Sequence, residues 1–264
     1  MSVLYILGNG FDLMHNIPSK YSDFKSFLEG KKEYSELLEN LNELFNETEL
    51  WRDFENELAK PNQDILSKLS NLIGMNVIGK CFKEQLQLAF DAWIRHINNF
   101  EIKKIFRFDK SDTFLSFNYT TTLEVGYGIE LDRVKHIHNC VGDNYFDNSI
   151  HCIFGHDSIE YNSVNKEWIE STYKDTNAII QTHSKWFKAL AAKNINEIRV
   201  IGFSYNKVDD KYFEEINKVL PNRKWVLNIH GPKDLGNSYI FFNRIGLDRN
   251  NIETSNYGGG NING

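Results

Sequence analysis

Cysteine, proline and long apolar runs are scarce in this chain, and it has no surplus of positive charge. Its 264 residues hold three cysteines, Cys81, Cys140 and Cys152, an odd number with no CxxC spacing. That usage fits a reducing, cytoplasmic compartment. A chain of this mass buries about three-quarters of the surface it exposes when unfolded, so no disulfide framework is needed. No stretch approaches the roughly 18 apolar residues of a membrane-crossing helix, and no membrane association is expected. The apolar run Val3 to Leu7 is too short for a signal-peptide core and has no basic leader. Lys and Arg number 30 against 36 Asp and Glu, a formal net charge of -6. Such a balance opposes the phosphate attraction on which most duplex binders rely, and nucleic acid is not an expected partner. The four prolines, Pro18, Pro61, Pro221 and Pro232, fall at element boundaries, and no internal repeat is visible.

What the chain does contain is a series of short β-rich runs, each ending in a polar or glycine-containing turn. They are Val3 to Leu7, Thr113 to Phe117, Arg133 to Ile137, Cys152 to Phe154, Ile198 to Ile201 and Trp225 to Ile229. Helical spacing marks Glu33 to Phe45, Leu86 to Ile97, Lys166 to Ala192 and Asp210 to Val219. The alternation predicts an α/β fold with a mainly parallel, Rossmann-like sheet. About a hundred residues separate the first two strands, far more than one crossover helix requires. A helical insertion is therefore expected at about 19–108, within a single domain covering 1–254. Its apolar positions (Phe24, Leu28, Leu41, Trp51, Phe54 and Leu58 among them) recur at three- and four-residue steps, as core-facing helices require. The glycine-rich end, 255–264, is expected to be a flexible tail.

In an open parallel sheet, ligands bind beyond the carboxyl ends of the strands, and the unusual polar clusters sit at such ends. Gly8-Asn9-Gly10 follows the first strand, where missing side chains allow backbone amides to approach a phosphate; a tight turn is the alternative. The dinucleotide fingerprint GxGxxG is not met, because Leu13 stands where its third glycine belongs. Asn118 follows the second strand as either a turn residue or a site residue, with Thr120, Thr121 or Thr122 placed to cap the next helix. His136 and His138, two apart, share a strand face with Cys140 if the strand continues. With His151, Cys152 and His156 they invite a metal reading, against which stands the absence of HExxH or CxxC spacing. Gly202, Ser204 and Asp209 follow the fifth run and offer close backbone approach with ribose-type hydrogen bonds; Asp209 or Asp210 serves equally as a helix cap. His230-Gly231-Pro232 reads as a turn.

In their order and spacing, the segments Gly8-Asn-Gly-Phe-Asp12, Asn16-Ile-Pro18-Ser-Lys-Tyr21, Trp51-x-Asp-Phe-Glu55, Phe117-Asn118-Tyr119-Thr120, His136-Ile-His138, Phe154-Gly155-His-Asp157, Gly202-Phe-Ser204 and Asp209-Asp-x-Tyr212-Phe resemble the AbiH abortive-infection family across nearly the whole chain. The resemblance implies an anti-phage defence protein with a sirtuin-like domain that takes NAD as substrate or ligand and requires no other cofactor. It further implies that Gly8, Asn9, Gly10 and Phe11 form a nucleotide loop. Asn118, His138 and Asp12 become the catalytic candidates, and Tyr119, Gly155, Gly202, Ser204 and Asp209 further binding residues. Two departures stand out: Asn139 and Asn16 occupy turn positions where the family commonly has glycine, and Asn tolerates the left-handed conformation such turns need. Three scattered cysteines cannot supply the four-cysteine zinc module of sirtuins, which argues against deacylation. The expected activity is hydrolysis of the nicotinamide-ribose bond of NAD. The rival readings are a nucleotide sensor without turnover and a metal-dependent nuclease or phosphodiesterase. Sensing of infection is assigned to a homo-oligomer or a partner chain.

Overall fold

Strands covered on both faces have nearly continuous apolar sequence, and the runs Leu4 to Leu7 and Thr113 to Ser116 are buried residue by residue. The computed structural model describes residues 2–73, 75–142, 150–205, 207–229 and 231–256. They fall into two units: Met1–Ile17 with Phe100–His138 and Thr176–Gly264, and Pro18–Asn99 with Asn139–Asp175.

The first unit holds six strands: β1 (Ser2–Leu7), β2 (Thr113–Ser116), β3 (Val134–His136), β4 (Ile195–Ile201), β5 (Lys224–Ile229) and β6 (Ile252–Asn256). Their order is β3-β2-β1-β4-β5-β6, and every neighbouring pair is parallel. This is the strand order of a doubly wound, Rossmann-type sheet, reversing direction between β1 and β4. The helices in chain order are α1 (Asn9–Met14), α2 (Tyr21–Glu29), α3 (Ser35–Leu44), α4 (Glu47–Arg52), α5 (Phe54–Glu57), α6 (Gln63–Ile73), α7 (Met75–Ile97), α8 (Lys166–Thr172), α9 (Thr176–Thr182), α10 (Ser184–Leu190), α11 (Asp210–Val219) and α12 (Pro232–Ile245). Helices α2 to α7 all lie between β1 and β2, as the length of that connection requires.

In the first unit, Tyr5, Leu7, Phe11, Phe114, Leu123 and Ile201 form one buried cluster. Tyr127 ties the segment before β2 to α1. Its hydroxyl oxygen accepts the Ile105 and Phe106 amides, so its proton goes to His15 Nε2 at 2.7 Å, and His15 Nδ1 donates to the Phe11 carbonyl. Burial lowers the His15 pKa, in keeping with that neutral tautomer. In the second unit, Phe24, Phe54, Phe90 and Trp93 stack or meet edge to face, with Phe154 against Phe90 at 4.5 Å between ring centroids. The helical periodicity thus marks core positions.

Three sequence expectations need correction. Cys152 to Phe154 is not a strand: the Cys152 amide donates to the Asp91 carboxylate, and among the described residues nearby the pairing is an isolated bridge between His156 and Tyr173. A further strand is β6, which pairs Trp225 with Ile252 and Ile229 with Asn256 and so takes Ser255 and Asn256 out of the expected tail. Residues 257–264 and His230 lie outside the described residues. Lys166 to Ala192 is three helices rather than one. The break after α8 is an extended turn in which the Lys174 amide bonds the His156 carbonyl and its ammonium reaches Glu55 at 2.9 Å.

Candidate functional site

The loops after β1 and β4 meet backbone to backbone. The Gly8 amide donates to the Ile201 carbonyl at 2.9 Å and the Gly10 amide to the Gly202 carbonyl at 2.8 Å. Both amides are therefore engaged within the protein, and a ligand at this loop would meet other groups. A Cβ on Gly202 would lie 2.2 Å from the Phe11 nitrogen, and its φ is +68°. Phe11 belongs to the hydrophobic core, 1% exposed. Gly202→Ala should lose about 1–2 kcal/mol to the left-handed backbone and a further 1–3 kcal/mol or so to overpacking. Gly246, at φ +66° with open space around it, is the control: Gly246→Ala should show the first loss only. Equal losses for the two variants in urea denaturation would mean that the β1–β4 contact carries no packing constraint.

Directly after this contact, α1 places Asp12 under the end of the sheet. The carboxylate is 1% exposed and accepts Thr120 Oγ1 at 2.6 Å and Thr122 Oγ1 at 2.7 Å; the Asn118 side chain bonds it as well. The threonines read as helix caps therefore serve Asp12, and Thr121, at the N-cap of the π-helical turn Thr122–Gly126, makes no side-chain cap bond. Burial raises the Asp12 pKa from 3.8 to about 6, against the lowering effect of the two hydroxyls, the His136 charge and Asn118. Between these two values the folded protein holds more protons than the unfolded chain, so stability falls as pH rises through the interval. The full shift corresponds to roughly 3 kcal/mol. Asp12→Asn should accordingly gain up to about that much relative to wild type between pH 3.5 and pH 8. Parallel pH dependences for the two proteins would show that Asp12 is not a buried ionised group at neutral pH.

His136 ends β3. Its Nδ1 donates to the Asn118 carbonyl at 3.0 Å, and Nε2 lies 2.8 Å from Glu124 Oε1, both side chains being buried. Because β3 stops at His136, the expected alternation does not continue. His138 instead sits on a turn, with Nε2 3.0 Å from the Tyr212 hydroxyl and its ring edge-on to Phe117 at 5.3 Å. Tyr119 lies 6.3 Å from the same ring. Asn139 and Asn16 both have φ of 60°, as the asparagine-for-glycine turns predicted.

The remaining sequence candidates are distributed differently. Ser204 is exposed in the loop after β4, and Asp209 stands at the N-cap of α11 without a side-chain cap bond. Asp210 beside it takes the Arg244 guanidinium through both oxygens. Asn9 opens α1. Gly155 belongs to the second unit, with φ +145° against the Thr172 carbonyl, so it is placed as a backbone contact there. The histidine cluster divides as well: in the second unit His151 bonds Asp91 at 2.6 Å and His156 bonds Thr172 at 2.9 Å. Among the described residues no group of three or more His, Cys, Asp or Glu is placed to hold a metal ion. Sequence reasoning overlooked Glu124; its only signal was an acid two residues beyond a threonine that follows a strand tip.

The carboxyl ends of β1, β2 and β3 thus bring Asp12, Asn118, Thr120, Thr122 and His136 into one buried polar network. A family model described as bacteriophage abortive infection AbiH matches residues 4–229. The chain belongs to the AbiH family. Membership implies a role in abortive infection by bacteriophage, and the matched span takes in every strand but β6. Neither a curated protein nor a solved structure gives a significant match to this AbiH chain. No described helix is long and apolar enough to cross a membrane.

Proposed function

We propose that this AbiH protein binds NAD at the carboxyl ends of β1, β2 and β3 and hydrolyses its nicotinamide-ribose bond, giving nicotinamide, ADP-ribose and a proton. The observation that carries the reading is the convergence there of a buried carboxylate, an asparagine and two histidines, on a sheet with the strand order of dinucleotide-binding folds. Departure of nicotinamide leaves positive, oxocarbenium character on the ribose. In this reading the Asp12 carboxylate, ionised above about pH 6, favours that charge and orients Asn118. Asn118 positions the attacking water or a ribose hydroxyl, and the His138 imidazole takes its proton. Membership of a sirtuin-like group belongs to the same proposal, as does sensing through a second copy or a partner chain.

Purified protein incubated with NAD, alone and with extract of phage-infected cells, should release nicotinamide and ADP-ribose in equal amounts. Saturable NAD binding with no product under either condition would identify a nucleotide sensor instead. Absence of both binding and product would overturn the nucleotide reading.

A further inference from the structure

At the carboxyl ends of β1, β2 and β3, the proposed chemistry leaves the buried ionisable pair of Glu124 and His136 without a task. Glu124 and His136 are almost fully covered, 5% and 6% exposed at the side chain, and an acid is not buried beside an imidazole without consequence for what the imidazole touches. A carbonyl can only accept, so His136 Nδ1 must carry a proton toward Asn118. The contact between Nε2 and Glu124 Oε1 then holds one more proton, whichever atom it formally belongs to. This fixes the tautomer and the tilt of the ring. The Asn118 amide nitrogen donates to Ser116 Oγ at 3.2 Å, and that hydroxyl lies 3.4 Å from the Asn118 carbonyl as well. The peptide groups of Asn118 are thereby gripped from two strands, while its side chain is left to Asp12.

We infer that Glu124 and His136 are positioning residues that clamp the Asn118 backbone and so set where its side-chain amide points. The role assigned to that amide rests on the proposed NAD chemistry; the clamp itself does not. Thr122 and Glu124, both on the π-helical turn, reach Asp12 and His136 respectively, so one short turn braces both sides of Asn118. π-Helical turns are rare and occur frequently at functional sites.

Two variants, one double and one single, separate positioning from bulk stability. In His136→Asn the Nδ2 group takes the place of imidazole Nδ1 and keeps a donor for the Asn118 carbonyl; pairing it with Glu124→Gln removes the buried acid that would lose its imidazole partner. His136→Gln reaches Glu124 instead and gives up the Asn118 contact. The readouts are the side-chain amide resonances of Asn118, assigned by their loss in Asn118→Ala, and NAD turnover. His136→Gln should shift the Asn118 resonances and lower kcat by about 10²-fold with KM little changed, the order of loss expected for a misplacement near 1 Å. The double variant H136N/E124Q should return the resonances toward wild type and turnover to within about tenfold of it, as a retained donor requires. If His136→Gln leaves the resonances in place, or if both variants shift them alike, the clamp does not exist. Should wild type not turn over NAD, the proposed chemistry fails and the resonances alone decide the clamp.

Discussion

Alanine at His138 is expected to lower NAD hydrolysis by about 10²- to 10⁴-fold, the usual contribution of a positioned general base. The residue is 3% exposed and walled by Phe117 and Tyr212, so truncation also opens a cavity that could disturb the fold. His138→Gln removes that ambiguity: it preserves most of the volume and a polar atom near the Tyr212 hydroxyl, yet has no basic nitrogen. Both variants should lose turnover alike while retaining NAD binding. Tyr212→Phe deletes only the hydroxyl that faces Nε2 at 3.0 Å and should cost no more than about tenfold, since it acts through His138. Full turnover in His138→Gln would remove His138 from the chemistry and leave Asp12, whose pKa burial raises to about 6, as the candidate base.

Lys174→Met should destabilise the protein by about 3–5 kcal/mol, because it deletes the ammonium from a buried ion pair and leaves the opposing carboxylate in place. Lys174 is 2% exposed at the side chain, and its Nζ lies 2.9 Å from Glu55 Oε2; Tyr21 donates to the other oxygen of Glu55 at 2.7 Å. Removing both charges, in Lys174→Met with Glu55→Met, should recover most of the loss, since the desolvation penalty of each ion disappears with it. Urea denaturation of the two single variants and the double closes the cycle. A loss below about 1 kcal/mol for Lys174→Met would place the pair among weakly coupled surface ion pairs.

Much of the sheet was legible because strands buried on both faces are nearly continuous apolar runs, and Val3 to Leu7, Thr113 to Phe117 and Trp225 to Ile229 stand out for that reason. β6 escaped because Ile-Glu-Thr-Ser-Asn alternates like an edge strand and runs into a glycine-rich end. Cys152 to Phe154 misled because β-favouring residues also suit an extended segment whose amide bonds a carboxylate, here Asp91. At the site, Asn118 and His138 could be named from their places beyond strand ends, and Asp12 from the family resemblance. The part played by Thr120, Thr122 and Glu124 could not, since the segment after β2 and its π-helical turn Thr122–Gly126 carry them to residues over a hundred positions away, or twelve, in a direction no linear spacing encodes. The glycines at 8, 10 and 202 were marked for close backbone approach to a ligand, and the structure shows that they also let the two loops meet backbone to backbone.

The most direct test of the account is the cellular NAD level through phage infection in bacteria carrying the wild-type protein or Asn118→Ala. Loss of NAD after infection in the wild type, with NAD retained and protection lost in Asn118→Ala, is the predicted result. Unchanged NAD in both, with protection intact, would contradict NAD hydrolysis at this site.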